Sequence, residues 1–123
     1  MTTVMLVDDS RTILMSLTSV LTKAGYRIES ATNGREALDK VSGGLRPNLI
    51  ISDVNMPVMD GITFAREVRL VAGMRFVPIL MLTTESEQSK RTEAKKAGAT
   101  GWLVKPVAPD QLLTVIKQIL PGV

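Results

Sequence analysis

Leu49-Ile50-Ile51-Ser52-Asp53, introduced by Pro47 and followed by Asn55-Met56-Pro57-Val58-Met59-Asp60-Gly61, decides how this chain is read. The run is short, continuous and rich in branched side chains, as a strand buried on both faces of a parallel sheet should be, and it stops at a carboxylate. Other runs behave alike. Val4-Met5-Leu6-Val7 stops at Asp8-Asp9, Ile79-Leu80-Met81-Leu82 at Thr83, and Trp102-Leu103-Val104 at Lys105. In open parallel sheets the site lies beyond the carboxyl ends of the strands, where the strand order reverses. If these runs are neighbouring strands, three carboxylates, a hydroxyl and an ammonium converge on one crevice. Such a set suits a metal ion and a phosphoryl group.

Helical patterns fill the intervals. Strand 1, about 3–7, leads to a helix starting near Ser10 with Ile13, Leu14, Leu17, Leu21 and Ala24 on one face and Gly25 as its stop. Strand 2, about 27–31, is followed by a helix after Asn33-Gly34, with Ala37, Leu38 and Val41 inward, that ends at Gly43-Gly44. Strand 3 is expected at about 48–53, helix 3 at 62–71, strand 4 at 78–82, helix 4 at 87–97, strand 5 at 100–104 and helix 5 at 109–120. Helix 4 carries only Ala94 and Ala97 as apolar residues beside Lys90, Arg91, Lys95 and Lys96, so it should be among the less stable elements. Five alternating βα units imply an α/β fold, a doubly wound parallel sheet with helices on both faces.

The 123 residues are enough for one domain, taken as 1–123, and too few for two. Cysteine and histidine are both absent. Disulfides, thiol catalysis, histidine triads and phospho-histidine chemistry on this chain are thereby excluded. No apolar stretch approaches the roughly 20 residues of a membrane span, and Met1-Thr2-Thr3 leads directly into a strand, so a cytoplasmic protein is expected. The formal net charge is +3 although three acids are committed to the crevice, which leaves the remaining surface basic. With 3% aromatic residues there is no base-stacking platform, and direct nucleic-acid binding is not expected.

Taken together, Asp8-Asp9, Asp53-Val54-Asn55-Met56-Pro57 with Met59-Asp60-Gly61, Thr83 and Lys105-Pro106 resemble the receiver domain of two-component response regulators, from strand 1 to helix 5. Asp8-Asp9-Ser10-Arg11, with Asn55 and Glu85, is most similar to the single-domain chemotaxis type, for which strand order 2-1-3-4-5 is known. The resemblance implies that Asp53 accepts a phosphoryl group from a phospho-histidine on a histidine kinase, or from a small phosphodonor. It implies Mg²⁺ held by Asp9, Asp53 and the backbone carbonyl of Asn55, with Asp8 acting through a water. Lys105 and Thr83 would bind phosphoryl oxygens, and Asn55 and Glu85 would bracket the water that removes the group. A downstream protein, in chemotaxis or motility, would bind the face of helix 4, strand 5 and helix 5. The resemblance also implies a cis peptide at Lys105-Pro106. The expected molecule is a monomer that catalyses its own phosphorylation and dephosphorylation without being a turnover enzyme.

Each residue has a plainer reading. Asp9 or Ser10 could cap helix 1, Asp53 could be a turn acid, Thr83 a β-former, Glu85 a first-turn helix acid, and Lys105 a surface lysine. These readings leave unexplained why all five crevice residues stand at strand ends. Trp102 departs from the Tyr or Phe usual in the family; it is a bulkier ring whose N–H can only donate, or else an aromatic anchor for a partner. Lys90, Arg91 and Lys95 form either a solvated face or a docking patch for an acidic segment. Other functions remain. The domain could be excised from a larger regulator such as a transcription factor, or serve as a phosphate sink. A Mg²⁺-dependent phosphohydrolase of the haloacid-dehalogenase type needs a second Asp two residues after its nucleophile, where this chain has Asn55. A flavodoxin-like phosphate loop is opposed by Asp8-Asp9, whose charges would repel the cofactor phosphate.

Overall fold

The computed structural model describes residues 2–84 and 89–120. Five strands alternate with five helices: β1 (Thr3–Val7), α1 (Arg11–Lys23), β2 (Arg27–Ala31), α2 (Gly34–Ser42), β3 (Leu49–Asp53), α3 (Gly61–Val68), β4 (Ile79–Thr83), α4 (Arg91–Lys96), β5 (Gly101–Val104) and α5 (Pro109–Ile119). The strands form one parallel sheet in the order β2-β1-β3-β4-β5. The order reverses between β1 and β3. With that reversal, α2, α3 and α4 pack on one face of the sheet and α1 and α5 on the other.

Alternation along the three central strands divides the interior in two. Met5, Val7, Ile50, Ile79 and Met81 face one core with Phe64 of α3, Val41 of α2 and Ala94 of α4. Val4, Leu6, Leu49, Ile51, Leu80 and Leu82 face the other, against Leu14, Leu17 and Leu21 of α1 and Leu112 and Ile116 of α5. Every residue of β3 and β4 is buried, whereas the edge strand β2 has Arg27 and Ser30 exposed. A strand buried on both faces reads as a continuous apolar run because neither face meets water.

Side-chain caps start three helices. Ser10 accepts from the Ile13 amide at 3.3 Å, Asn33 from Glu36 at 2.9 Å and Asp60 from Thr63 at 2.8 Å, each satisfying an amide with no partner inside its helix. Of the two capping candidates for α1, Ser10 takes the role, which leaves Asp9 to the crevice. Some boundaries differ from expectation. α3 ends at Val68 rather than 71: Leu70 and Val71 donate to carbonyls three residues back, those of Glu67 and Val68, instead of four, and the Arg69 side chain turns to the carbonyls of Met74, Val77 and Gly98. Regular α4 covers Arg91–Lys96 with a 3-10 turn at Ser89 and Lys90, and the expected start at 87 falls outside the described residues. β4 runs one residue later than expected and so includes Thr83.

One close approach holds the site together. The Gly61 amide donates to the Val54 carbonyl at 2.8 Å, and a Cβ on Gly61 would collide with the Asp53 carbonyl oxygen and come within 2.9 Å of Met81 Cε. The start of α3 can therefore abut the end of β3 only where no side chain intervenes. Gly61→Ala should lower stability in urea unfolding by roughly 1–3 kcal/mol, the usual cost of overpacking. Gly101→Ala, whose new Cβ would meet Leu80 at an ordinary 3.6 Å, should change it by about 0.5 kcal/mol or less. Equal effects at the two positions would remove the role assigned to the Gly61 contact.

Candidate functional site

Register places the site residues. Val7 is paired with Ser52, so Asp8 and Asp53, each one residue further on, come abreast across the β1–β3 junction. Asp53 is paired with Leu82 and Thr83 with Val104, which sets Thr83 one residue beyond Asp53 on the adjacent β4 and Lys105 just past the end of β5, the strand after that. All of this lies at the carboxyl edge, beside the point where the strand order reverses.

The carboxylates of Asp8, Asp9 and Asp53 each offer an oxygen within 4.8 Å of the other two. Asp8 and Asp53 are buried and Asp9 is exposed, so the cluster has a closed floor and an open mouth. Lys105 Nζ bridges the two buried acids, 3.1 Å from Asp8 and 3.0 Å from Asp53. The Asp8 carboxylate also accepts from the Ser10 amide at 2.9 Å, which ties the cluster to the start of α1. Among the described residues one lysine, Lys105, faces the three carboxylates. Oxygen donors of that number and charge fit a hard divalent cation such as Mg²⁺, which typically takes one or two carboxylates and keeps several waters.

The other candidates are placed unequally. Thr83 is buried and its hydroxyl donates to the Leu103 carbonyl at 3.4 Å, a long bond that a better acceptor could replace. Asn55 is exposed in the loop after β3, and Glu85 lies outside the described residues. The loop turns sharply at Val58: the Met59 amide reaches the Pro57 carbonyl at 2.7 Å, and Val58 sits at φ 69°. A branched residue in that left-handed region costs roughly 1–3 kcal/mol. The Lys105–Pro106 peptide is cis. On α4 the three basic candidates separate. Arg91 stacks over the half-buried Trp102 ring at 4.9 Å, Lys95 is exposed, and Lys90 lines a polar recess of about 380 Å³ with Asn55, Asp60 and Glu93. On the far side of Lys105 an apolar groove of about 330 Å³ runs between Ile13 and Leu17 of α1 and Pro106-Val107.

Sequence reading missed Ser52 and Arg69. The Ser52 hydroxyl donates to the Asp53 carbonyl at 2.9 Å inside the strand, a position that as sequence reads only as part of an apolar run. Arg69 looks like any other basic residue of a solvated helix until its carbonyl partners are seen.

Burial alone would lower the pKa of Lys105, but hydrogen bonds and charge from Asp53, and then from Asp8, outweigh it and hold the ammonium above the ordinary lysine value of 10.5. Its folded-state pKa therefore exceeds the unfolded one. The stability it contributes is fully present below the unfolded value and is lost as pH rises through the folded one. In a ¹³Cε NMR titration Lys105 should deprotonate at higher pH than the exposed lysines, and Asp53→Asn should move its midpoint down. A Lys105 that titrates with the surface lysines in both proteins would show that the bridge is absent in solution.

Comparisons with known proteins point the same way. The family model described as "Response regulator receiver domain" matches residues 4–117. The response regulator MprA of Mycolicibacterium vanbaalenii is 38% identical over 117 residues, covering 95% of this chain and 49% of that protein, so the chain spans about half the length of that curated relative. The chemotaxis protein CheY of Thermotoga maritima is 35% identical over 120 residues, 94% of this chain and 95% of that protein. Among solved structures, Vibrio cholerae chemotaxis protein CheY4 superimposes with a TM-score of 0.90 at 49% identity, over 97% of this chain and 98% of that one.

Proposed function

The chain belongs to the response regulator receiver family of two-component signalling, and from that premise we propose that it is a phosphorylation-operated switch whose phosphoacceptor is Asp53. One observation carries the reading: the Asp53 carboxylate lies at the end of a central strand, within 4.8 Å of two further carboxylates and 3.0 Å from Lys105. An Asp53 oxygen attacks phosphorus. The new O–P bond makes an acyl phosphate, the P–N bond to the kinase histidine breaks, and its electron pair stays on the imidazole nitrogen. A small phosphodonor such as acetyl phosphate would lose its own P–O bond in the same way.

Asp8, Asp9, Asp53 and the backbone carbonyl of Asn55 are the groups that would hold Mg²⁺, which when bound offsets the negative charge that otherwise repels the carboxylate from the phosphoryl oxygens. Lys105 follows the charge. Its ammonium, already on Asp53, is placed to pair with a phosphoryl oxygen once the carboxylate has reacted. Thr83 would exchange its long bond to Leu103 for a phosphoryl oxygen, and Asn55 with Glu85 would orient the water that later hydrolyses the acyl phosphate.

The signal would leave through the face of α4, β5 and α5, where Trp102 is covered by Arg91, toward a downstream protein in chemotaxis or motility. Lys90 and Lys95 would contribute charge to that surface. Likeness to the chemotaxis proteins CheY and CheY4 supports this output. Among the described residues no helix is long and apolar enough to cross a membrane, and we place the work in the cytoplasm, by a monomer.

The test is intact mass after incubation with Mg²⁺ and acetyl phosphate. Wild type should gain one phosphoryl group, and Asp53→Asn or a Mg²⁺-free sample none. An adduct that survives in Asp53→Asn would place the acceptor elsewhere. No adduct in wild type, nor in a Glu85→Ala variant chosen to slow hydrolysis, would reject phosphoacceptor chemistry at this site.

A further inference from the structure

At the opposite end of the sheet from Asp53, the C-terminal ends of α3 and α4 and the loop entering β4 enclose an open groove of about 750 Å³. Its floor is Arg69, whose guanidinium donates to the carbonyls of Met74, Val77 and Gly98 and so ties the α3–β4 loop to the turn before β5. Arg66, Arg75 and Lys96 line the groove and are exposed. Among the described residues none of these four cations has a carboxylate within 4 Å, and the lining includes no acid. The same groove displays two of the four exposed large apolar side chains among the described residues: Phe76, 87% exposed, and Leu70, 78% exposed. A phenylalanine this exposed, with only an exposed guanidinium over its ring, adds little to the fold.

We propose that this groove docks an acidic segment of a partner protein bearing a large aliphatic or aromatic side chain. The apolar side chain covers Phe76 and Leu70, while flanking carboxylates pair with Arg66, Arg75 and Lys96. Charge complementarity selects the acidic partner, because an apolar segment alone would leave three cations facing it. A nucleic-acid strand fits less well. The groove has a single ring, already faced by the Arg75 guanidinium 5.5 Å from its centroid, and strand binding needs several stacking platforms along a basic track. A lipid surface also fits less well, since interfacial binding scales with buried apolar area and only two side chains project. The groove lies at the opposite end of the sheet from the phosphoryl site and meets the α4–β5–α5 face only at the C-terminal end of α4.

The proposal is tested by ¹⁵N NMR titration of the full chain with the peptide acetyl-Asp-Glu-Leu-Asp-Glu-Phe-Glu-Asp-amide. Amides of residues 66–76 and 96–98 should shift. Binding should weaken at least tenfold in both Phe76→Ser and the double variant Arg75→Glu, Lys96→Glu, with unchanged circular dichroism and Mg²⁺ response in each. The proposal is overturned if shifts fall elsewhere or are absent, or if the charge-reversed chain binds equally. It is equally overturned if an octa-glutamate peptide does as well, because the apolar pair would then have no role. Shifts of these amides by phosphatidylglycerol vesicles or an oligo-dT strand, with none from the peptide, would reassign the groove to membrane or nucleic acid.

Discussion

Everything at the carboxyl edge of the sheet depends on keeping three carboxylates together. Each pair within 4.8 Å repels by roughly 3.5 kcal/mol or more at an effective dielectric of about 20. Two of the three are buried, where water cannot absorb that repulsion. Lys105 is the internal answer, one ammonium bridging Asp8 and Asp53. Among the described residues that is one positive charge against three carboxylates, an imbalance that would favour a divalent cation. A cluster fully neutralised by its own side chains would have no affinity for a divalent cation. One without Lys105 would leave a buried acid pair uncompensated, a defect that costs several kcal/mol in folded proteins.

The sheet order lets a short chain build such a cluster. β2 lies on one side of β1 and the other three strands lie on the opposite side, so the first crossover goes one way and the remaining ones the other. The carboxyl ends of β1 and β3 thus meet with no helix laid across the gap between them. Two fully buried strands behind the site make its floor rigid, while the loops in front, with Asn55 and Val58 exposed, are where change is cheap. Gly61 joins the two regimes by letting α3 begin against the backbone carbonyl of Asp53.

Much of this was legible in the residues because burial on both faces leaves a clear mark. Leu49-Ile50-Ile51 and Ile79-Leu80-Met81-Leu82 have no polar alternation, and the polar residue that ends such a run must lie at the sheet's edge. The edge strand β2 is less visible, because Arg27, Glu29 and Ser30 interrupt any apolar run. Helix ends were less visible still. Past the end of α3, the Arg69 side chain finds carbonyls up to 29 residues away, and no local pattern encodes that. On α4, charge counting grouped Lys90, Arg91 and Lys95, yet the stacking partner of Arg91 comes from β5 and separates it from the others. Composition shows how many charges a helix has. Only the fold shows what each one faces.

The most direct measurement is the affinity for Mg²⁺ by isothermal titration calorimetry, comparing wild type with Asp9→Asn and Lys105→Met. Removing the exposed acid should weaken binding about tenfold or more, equivalent to roughly 1.4 kcal/mol. Removing the competing ammonium should leave Mg²⁺ binding intact or tighter. Affinity that is insensitive to Asp9→Asn, or that collapses in a folded Lys105→Met, would contradict a site built on carboxylate charge that one lysine only partly offsets.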